Sequence, residues 1–277
     1  RTEMNKRVAI HFLAFFLAAV TFVVANYNRV PRATIHSEMS VAVPIPMQLM
    51  ASVGDRYLAA NFAVWRTLMV GTDALPLETL AAQAKVQEDA SFLNPAHEDN
   101  YVMATALLPW EGYVAPTQNI LRRATASRKI DFYAPFFYGF NQIHFLNDPL
   151  GASEYGRIAL ARAPDEQTRQ AMAYISAAWL ERSNDPQVSI GVIRALAQNV
   201  RDPGLSAHLM LRVKRQERLA HLQSLVSIYQ KRFSRLPNKL EELGEVGMTE
   251  EMRSDPLGTV VFFLDQSGGV RFSTKKQ

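Results

Sequence analysis

The hydrophobic pattern divides this chain into an apolar run, a proline-containing link and a long helical stretch. Val8 to Ala25 holds no Lys, Arg, Asp or Glu. About 18 residues at ~1.5 Å each span roughly 27 Å, enough for the hydrocarbon core of a bilayer. A retained transmembrane anchor is expected; the alternative is a cleaved signal peptide, whose apolar core is usually shorter. Asn28 to Gly54 contains Pro31, Pro44 and Pro46, and Pro44-Ile45-Pro46 predicts an extended path. Its apolar residues, among them Val41, Val43, Met47 and Leu49, leave three courses open: along a membrane surface, docked on the body, or docked on a partner, with docking on the body as the simplest. From Asp55 to about Phe233 the period is helical. There Ala90, Ala124, Ala159 and Ala197 recur at steps of about 34, 35 and 38 residues, a period of stacked helical hairpins. Tyr101, Phe136 and Tyr174 keep the same register and are expected to fill gaps between hairpins.

Hairpins are predicted in the windows 55–95, 98–130, 133–165 and 171–203. Gly71, Thr105, Ala152, Gly156 and Ala178 are the small residues expected where helices cross, and Phe140 interrupts that pattern beside Gly139. Asp148-Pro149 and Asp185-Pro186 read as a cap followed by a first helical turn. Leu205 to Phe233 predicts one long helix, with Leu219, Leu222, Val226, Tyr229 and Phe233 on an apolar stripe. Arg235-Leu236-Pro237 ends it. Asn238 then caps a short helix to Leu243, with Glu241 as its capping-box partner. Asp255-Pro256-Leu257-Gly258 is a turn, and Thr259–Leu264 and Val270–Ser273 predict a β-hairpin. The expected organisation is 1–27 basic tail and membrane span, 28–54 link, 55–204 repeats, 205–235 capping helix and 236–277 C-terminal module.

The hairpin period, with its small and aromatic positions, resembles the tetratricopeptide repeat family. More of the chain resembles a group of bacterial membrane-anchored tetratricopeptide proteins. The residues are Gly54-Asp55-x-x-Leu58-Ala59-Ala60 leading to Trp65-Arg66, then Leu93-Asn94-Pro95, Phe137-Tyr138-Gly139-Phe140, Asp255-Pro256-Leu257-Gly258, and a Gly269-Val270-x-x-Ser273-Thr274 ending. The resemblance implies an all-α, TPR-like α-solenoid of helical hairpins with an N-terminal transmembrane helix and a small C-terminal β-hairpin module. It implies a place and an architecture, and no reaction. The C-terminal layout is also similar to that of type II secretion major pseudopilins.

Composition narrows the chemistry. There are no cysteines, so disulfides, thiolate metal sites and Cys nucleophiles are excluded. No Asn-x-Ser/Thr acceptor occurs, which favours a bacterial source. No H-E-x-x-H, phosphate-binding glycine loop, dinucleotide fingerprint or nucleophile elbow is present. Glu88-Asp89 and Glu98-Asp99 flank Pro95 and read as helix-end charges. His144 sits in an aromatic helix and reads as a core or groove histidine. Asp255 and Asp265 lack the dense oxygen spacing of a calcium loop. No enzyme activity, cofactor or metal is expected.

The expected function is a membrane-anchored scaffold or accessory subunit that assembles an envelope complex. The alternatives are a pilus or type II secretion-like component, or a non-catalytic subunit of a respiratory or other membrane enzyme. The expected location is a bacterial inner membrane, single-pass, with a periplasmic body, because Arg1, Lys6 and Arg7 precede the span. Expected partners are proteins, including a membrane-embedded subunit, and the lipid bilayer. Nucleic acid is not expected at a net charge of +4. His11, Ala14, Ala18, Thr21 and Ala25 share one face of the span, a packing face for a second membrane helix or a chance alanine stripe. Asn61, Trp65, Asn100, Tyr138, Asn141 and Gln142 are the candidate groove residues. Arg212, Lys214, Arg215, Arg218, Lys231, Arg232 and Arg235 form a basic set on and just after the long helix. That set reads either as a surface for acidic partners, anionic lipid or nucleic acid, or as a solvated face.

Overall fold

The computed structural model describes residues 14–24, 39–70, 75–183 and 185–274. The described chain is mostly helical. Residues 14–24 form α1. There follow α2 (Ile45–Ala51), α3 (Arg56–Leu68), α4 (Leu77–Leu93), α5 (Glu98–Leu107) and α6 (Val114–Ser127). Next come α7 (Tyr133–His144), α8 (Pro149–Ala161), α9 (Glu166–Leu180), α10 (Pro186–Asn199) and α11 (Pro203–Phe233). A 3-10 helix (Leu240–Val246), α12 (Glu250–Arg253) and the strands β1 (Val260–Leu264) and β2 (Val270–Thr274) complete it. The strands pair antiparallel from Val260↔Thr274 to Leu264↔Val270.

Aspartates start five of the described helices. Asp55, Asp148, Asp165, Asp185 and Asp202 each accept a hydrogen bond from first-turn amides of α3, α8, α9, α10 and α11. A cap of this kind stabilises a helix by about 1 kcal/mol. After Asp148, Asp185 and Asp202, proline takes the first helical position, where its missing N–H costs nothing. Asp165 corrects a boundary: it opens α9 at Glu166 rather than closing the helix before it. The same allowance for proline corrects the Pro44-Ile45-Pro46 expectation, because Pro46 lies in the first turn of α2. Gly54, at φ +83°, then reverses the chain, and Asp55 restarts it as α3.

Each helix from α3 to α11 packs on the next in chain order, and α4 also packs on α6. The core is accordingly a series of small clusters. One gathers Val64, Val86 and Ala90, a second Tyr101, Leu121 and Ala124, and a third Leu180, Ile193 and Leu209. Ala90, Ala124, Ala159 and Ala197 are all buried, on α4, α6, α8 and α10. The described part of the link docks on its own body. Met39 is buried in the first cluster, and Arg66 Nη2 donates to the Val41 carbonyl at 3.1 Å.

The tightest crossing joins α7, α8 and α9. Gly139 on α7 leaves room for the Trp179 ring and the Ala152 carbonyl; a Cβ there would lie 2.7 Å and 2.8 Å from them. Trp179 also stacks on Phe136 at 5.8 Å. The small residue of this helix is therefore Gly139, one position before Phe140. Tyr174 does not fill a gap: it is 44% exposed and lies under the Arg212 guanidinium at 4.5 Å.

The 31 residues of α11 reach roughly 46 Å. Its first half packs on α10 through Leu209 and Val213. Its second half buries Leu219, Leu222, Val226 and Tyr229 against Leu243, Phe262 and Val270 of the C-terminal module, while Phe233 remains exposed. The short helix expected from Asn238 is a 3-10 turn over Leu240–Val246, and Asn238 does not cap it. Instead the Asn238 amide donates to Glu242 Oε1, whose other oxygen accepts from the Tyr229 hydroxyl at 2.6 Å.

Gly139→Ala gains helix propensity of about 1 kcal/mol but must displace the Ala152 backbone. We expect a net loss of roughly 1–3 kcal/mol, read as a lower denaturant midpoint at constant slope.

Candidate functional site

Two features concentrate unusual chemistry in the second half of the molecule: a cleft beside α10 and a buried ion cluster beneath α11. The cleft exists because α8 and α10 flank α9 without closing over it. α8 packs broadly on α9, whereas α10 packs broadly on α11 and only lightly on α9. The gap has a volume of about 820 Å³. Leu160, Val192, Leu196 and Val200 make its floor, the open edge of the third core cluster. Arg157, Arg162, Arg169 and Glu154 line its rim, so cations outnumber anions there.

Those arginines differ in how far their charge is answered. Arg162 Nη1 donates to the Thr125 and Arg128 carbonyls at 3.1 Å, which fixes it without neutralising it. Arg169 lies 3.4 Å from Glu166, a half-exposed pair of small energetic weight. Arg157 is exposed. On the α10 wall Gly191 and Ala195 are exposed, and a Cβ at Gly191 would meet nothing within 4 Å. Internal packing therefore does not require a glycine there, although glycine within a helix costs about 1 kcal/mol relative to alanine.

The candidate groove residues do not form one surface. Asn61 and Trp65 are exposed on α3. Asn100 and Asn141 are buried at 1% exposure. Asn100 Nδ2 donates to the Gln87 carbonyl at 2.9 Å and ties α5 to α4. Asn141 Nδ2 donates to Gln118 Oε1 at 3.2 Å and ties α7 to α6. Gln142 Nε2 donates to Asp148 at 3.0 Å, and Tyr138 stacks on Tyr155 at 3.8 Å. These four hold helices together. His144 is exposed, stacks on Phe140 at 5.2 Å and meets the Trp110 ring at a tilt, with centroids 5.3 Å apart.

The basic set is also divided. Arg212 and Arg215 are buried and face inward. Both pair with Glu181 just past the end of α9, and Arg215 Nε also donates to Asp255 at 2.8 Å. Arg215 Nη2 reaches the Thr259 hydroxyl at 2.7 Å. Arg218 holds the Ser254 carbonyl at 2.6 Å, Arg232 the Glu245 carbonyl at 3.1 Å and Arg235 the Glu242 carboxylate at 2.8 Å. Lys214 and Lys231 remain exposed. The set is thus split: Arg212 and Arg215 are buried in ion pairs, whereas Lys214, Lys231, Arg232 and Arg235 are exposed. Most of it clamps α11 to its neighbours.

Burial pushes the Glu181 carboxyl up from its usual range, against the pull of Arg212 and Arg215. Burial also opposes ionisation of Asp255, but hydrogen bonds from Arg215 and from the Val260 and Thr259 amides outweigh it and hold this carboxyl at about 2. Asp265 has a local role: its carboxylate accepts from the Ser267 and Gly269 amides and pairs with Arg271 at 2.6 Å.

At the other end of the chain, α1 carries Ala14, Ala18 and Thr21 of the candidate small-residue face, all exposed; His11 and Ala25 lie outside the described residues. Phe15, Phe16 and Phe22 are exposed as well. Thr21 Oγ1 donates to the Leu17 carbonyl at 2.7 Å, so its hydroxyl is satisfied within the helix. Among the described residues no helix is long and apolar enough to cross a membrane, and the uncharged run extends beyond them on both sides. No family model matches the chain, and no curated protein or solved structure matches it.

Asp255→Asn leaves Arg215 with one shared acid, so at neutral pH we expect a loss of roughly 3 kcal/mol. The folded-state pKa is depressed below 3.8, so the stabilisation is present above about pH 4 and is lost as pH falls toward about 2. In melts across that window the gap between the two proteins should close on acidification.

Proposed function

We propose that this chain is a membrane-anchored, TPR-like α-solenoid that scaffolds a protein complex at a bacterial inner membrane, with its helical body in the periplasm. The cleft between α8 and α10 carries this reading. It is an apolar recess with a charged rim, left open on the side of a helix stack. Stacked helical hairpins commonly use such surfaces to hold other proteins. The anchor rests on α1, whose described residues are all exposed and largely apolar. Lipid, or a second membrane helix on the Ala14–Ala18 side, would cover them. An accessory subunit of a membrane enzyme complex is one form this scaffold can take.

The full chain should remain with membranes through an alkaline wash and co-purify with a protein partner at fixed stoichiometry in mild detergent. Leu17→Arg with Val20→Arg adds roughly 2.5–3.5 kcal/mol per residue to insertion and should release the chain to the soluble fraction. A wild-type chain that is soluble, or that purifies alone at native expression, contradicts the proposal.

A further inference from the structure

The cleft has a shape and a charge that select its occupant. Gly191, Ala195 and Asn199 follow one another at i, i+4 and i+8, so the α10 wall is low over roughly 12 Å, about two helical turns. The facing wall belongs to α8, and the floor between them is apolar. Two helices with an apolar trough between them accept a third helix, laid with its own apolar stripe down. The rim sets the sign. Arg157, Arg162 and Arg169 stand against Glu154 on the rim and Glu166 beside Arg169, which leaves the rim cationic by one charge. The segments of this sequence outside the helical body do not complement the rim in charge. Segments 1–13, 25–38 and 275–277 each carry more Lys and Arg than Asp and Glu. A second copy brings a net charge of +4 to a cationic rim.

We propose that the cleft between α8 and α10 seats an amphipathic helix of a protein partner, with acidic residues flanking its apolar stripe. This rests on the scaffold reading above. The partner's stripe lies on Val192 and Leu196, its backbone approaches α10 at Gly191, and its carboxylates reach Arg157 and Arg169. Contacts of this kind make the complex salt-sensitive, because exposed charges are screened within about 8 Å at physiological ionic strength.

The test uses the full chain in detergent and a displayed library of 14-residue peptides. Their apolar positions are fixed at i, i+3, i+4 and i+7, and the flanking positions are drawn from Glu, Lys and Ser. Selection should enrich Glu over Lys at least about tenfold. Gly191→Leu should weaken the selected peptides more than tenfold by filling the trough. Arg157→Glu, a surface change that leaves the fold intact, should weaken them about tenfold. Gly191→Ala should raise the melting temperature slightly, which shows that the site tolerates a side chain. Absence of enrichment, Lys-rich winners, or binding indifferent to both substitutions overturns the proposal. So does the pattern of a lipid site, in which phosphatidylglycerol vesicles bind, Gly191→Leu abolishes that binding, and no peptide is enriched. A membrane partner whose co-purification survives Gly191→Leu and Arg157→Glu sinks the cleft and leaves the scaffold. Successful selection with no co-purifying partner sinks the scaffold and leaves the cleft.

Discussion

Two buried arginines one turn apart on α11 set the spacing of the elements around them. Glu181 draws the end of α9 to Arg212 and Arg215, and Asp255 draws the turn before β1 to Arg215. Two cations face two anions, so the cluster is formally neutral, and further hydrogen bonds satisfy it. Burying such groups is costly, and their mutual attraction repays the cost only when every partner is present. The cluster is therefore best understood as a device for position. It fixes α9 relative to α11, and α10 rests on α11. That placement leaves α8 and α10 apart, and the cleft between them follows.

The rest of the stack is held by local means. Each core cluster draws its residues from neighbouring helices, and the hydrogen bonds of Asn100 and Asn141 join consecutive pairs. Small residues decide how close the helices come: Gly139 and Gly156 admit Trp179 and Ser176, where any side chain would collide. Most of these contacts join helices consecutive in the chain, with α4 on α6 as an addition. α11 is the exception, since it carries contacts to both the stack and the C-terminal module.

Features that depend on adjacent residues were legible in the sequence. Asp148-Pro149 and Asp185-Pro186 open α8 and α10, the α11 stripe is buried through Tyr229, and a β-hairpin follows the Asp255 turn. Features that depend on distant partners were not. Arg212 and Arg215 read as part of a basic set because Glu181 lies just past the end of another helix and Asp255 about 40 residues onward. Asn100 and Asn141 read as groove residues because periodicity marks a helix face without saying what it meets. Phe140 read as a defect because the crossing had shifted by one position to Gly139. The cleft left no pattern of its own, since it arises from how α10 rests on α11. Gly191 was its one local sign, a helix glycine that no internal contact requires.

Hydrogen exchange on the full chain with Arg215→Met tests most directly whether this cluster positions its surroundings. Amides of the β1–β2 hairpin and of α10 should lose protection, because both are placed through α11, while those of α4 to α6 keep theirs. Protection that is unchanged at α10 and the hairpin, or lost uniformly along the chain, would contradict that positioning role.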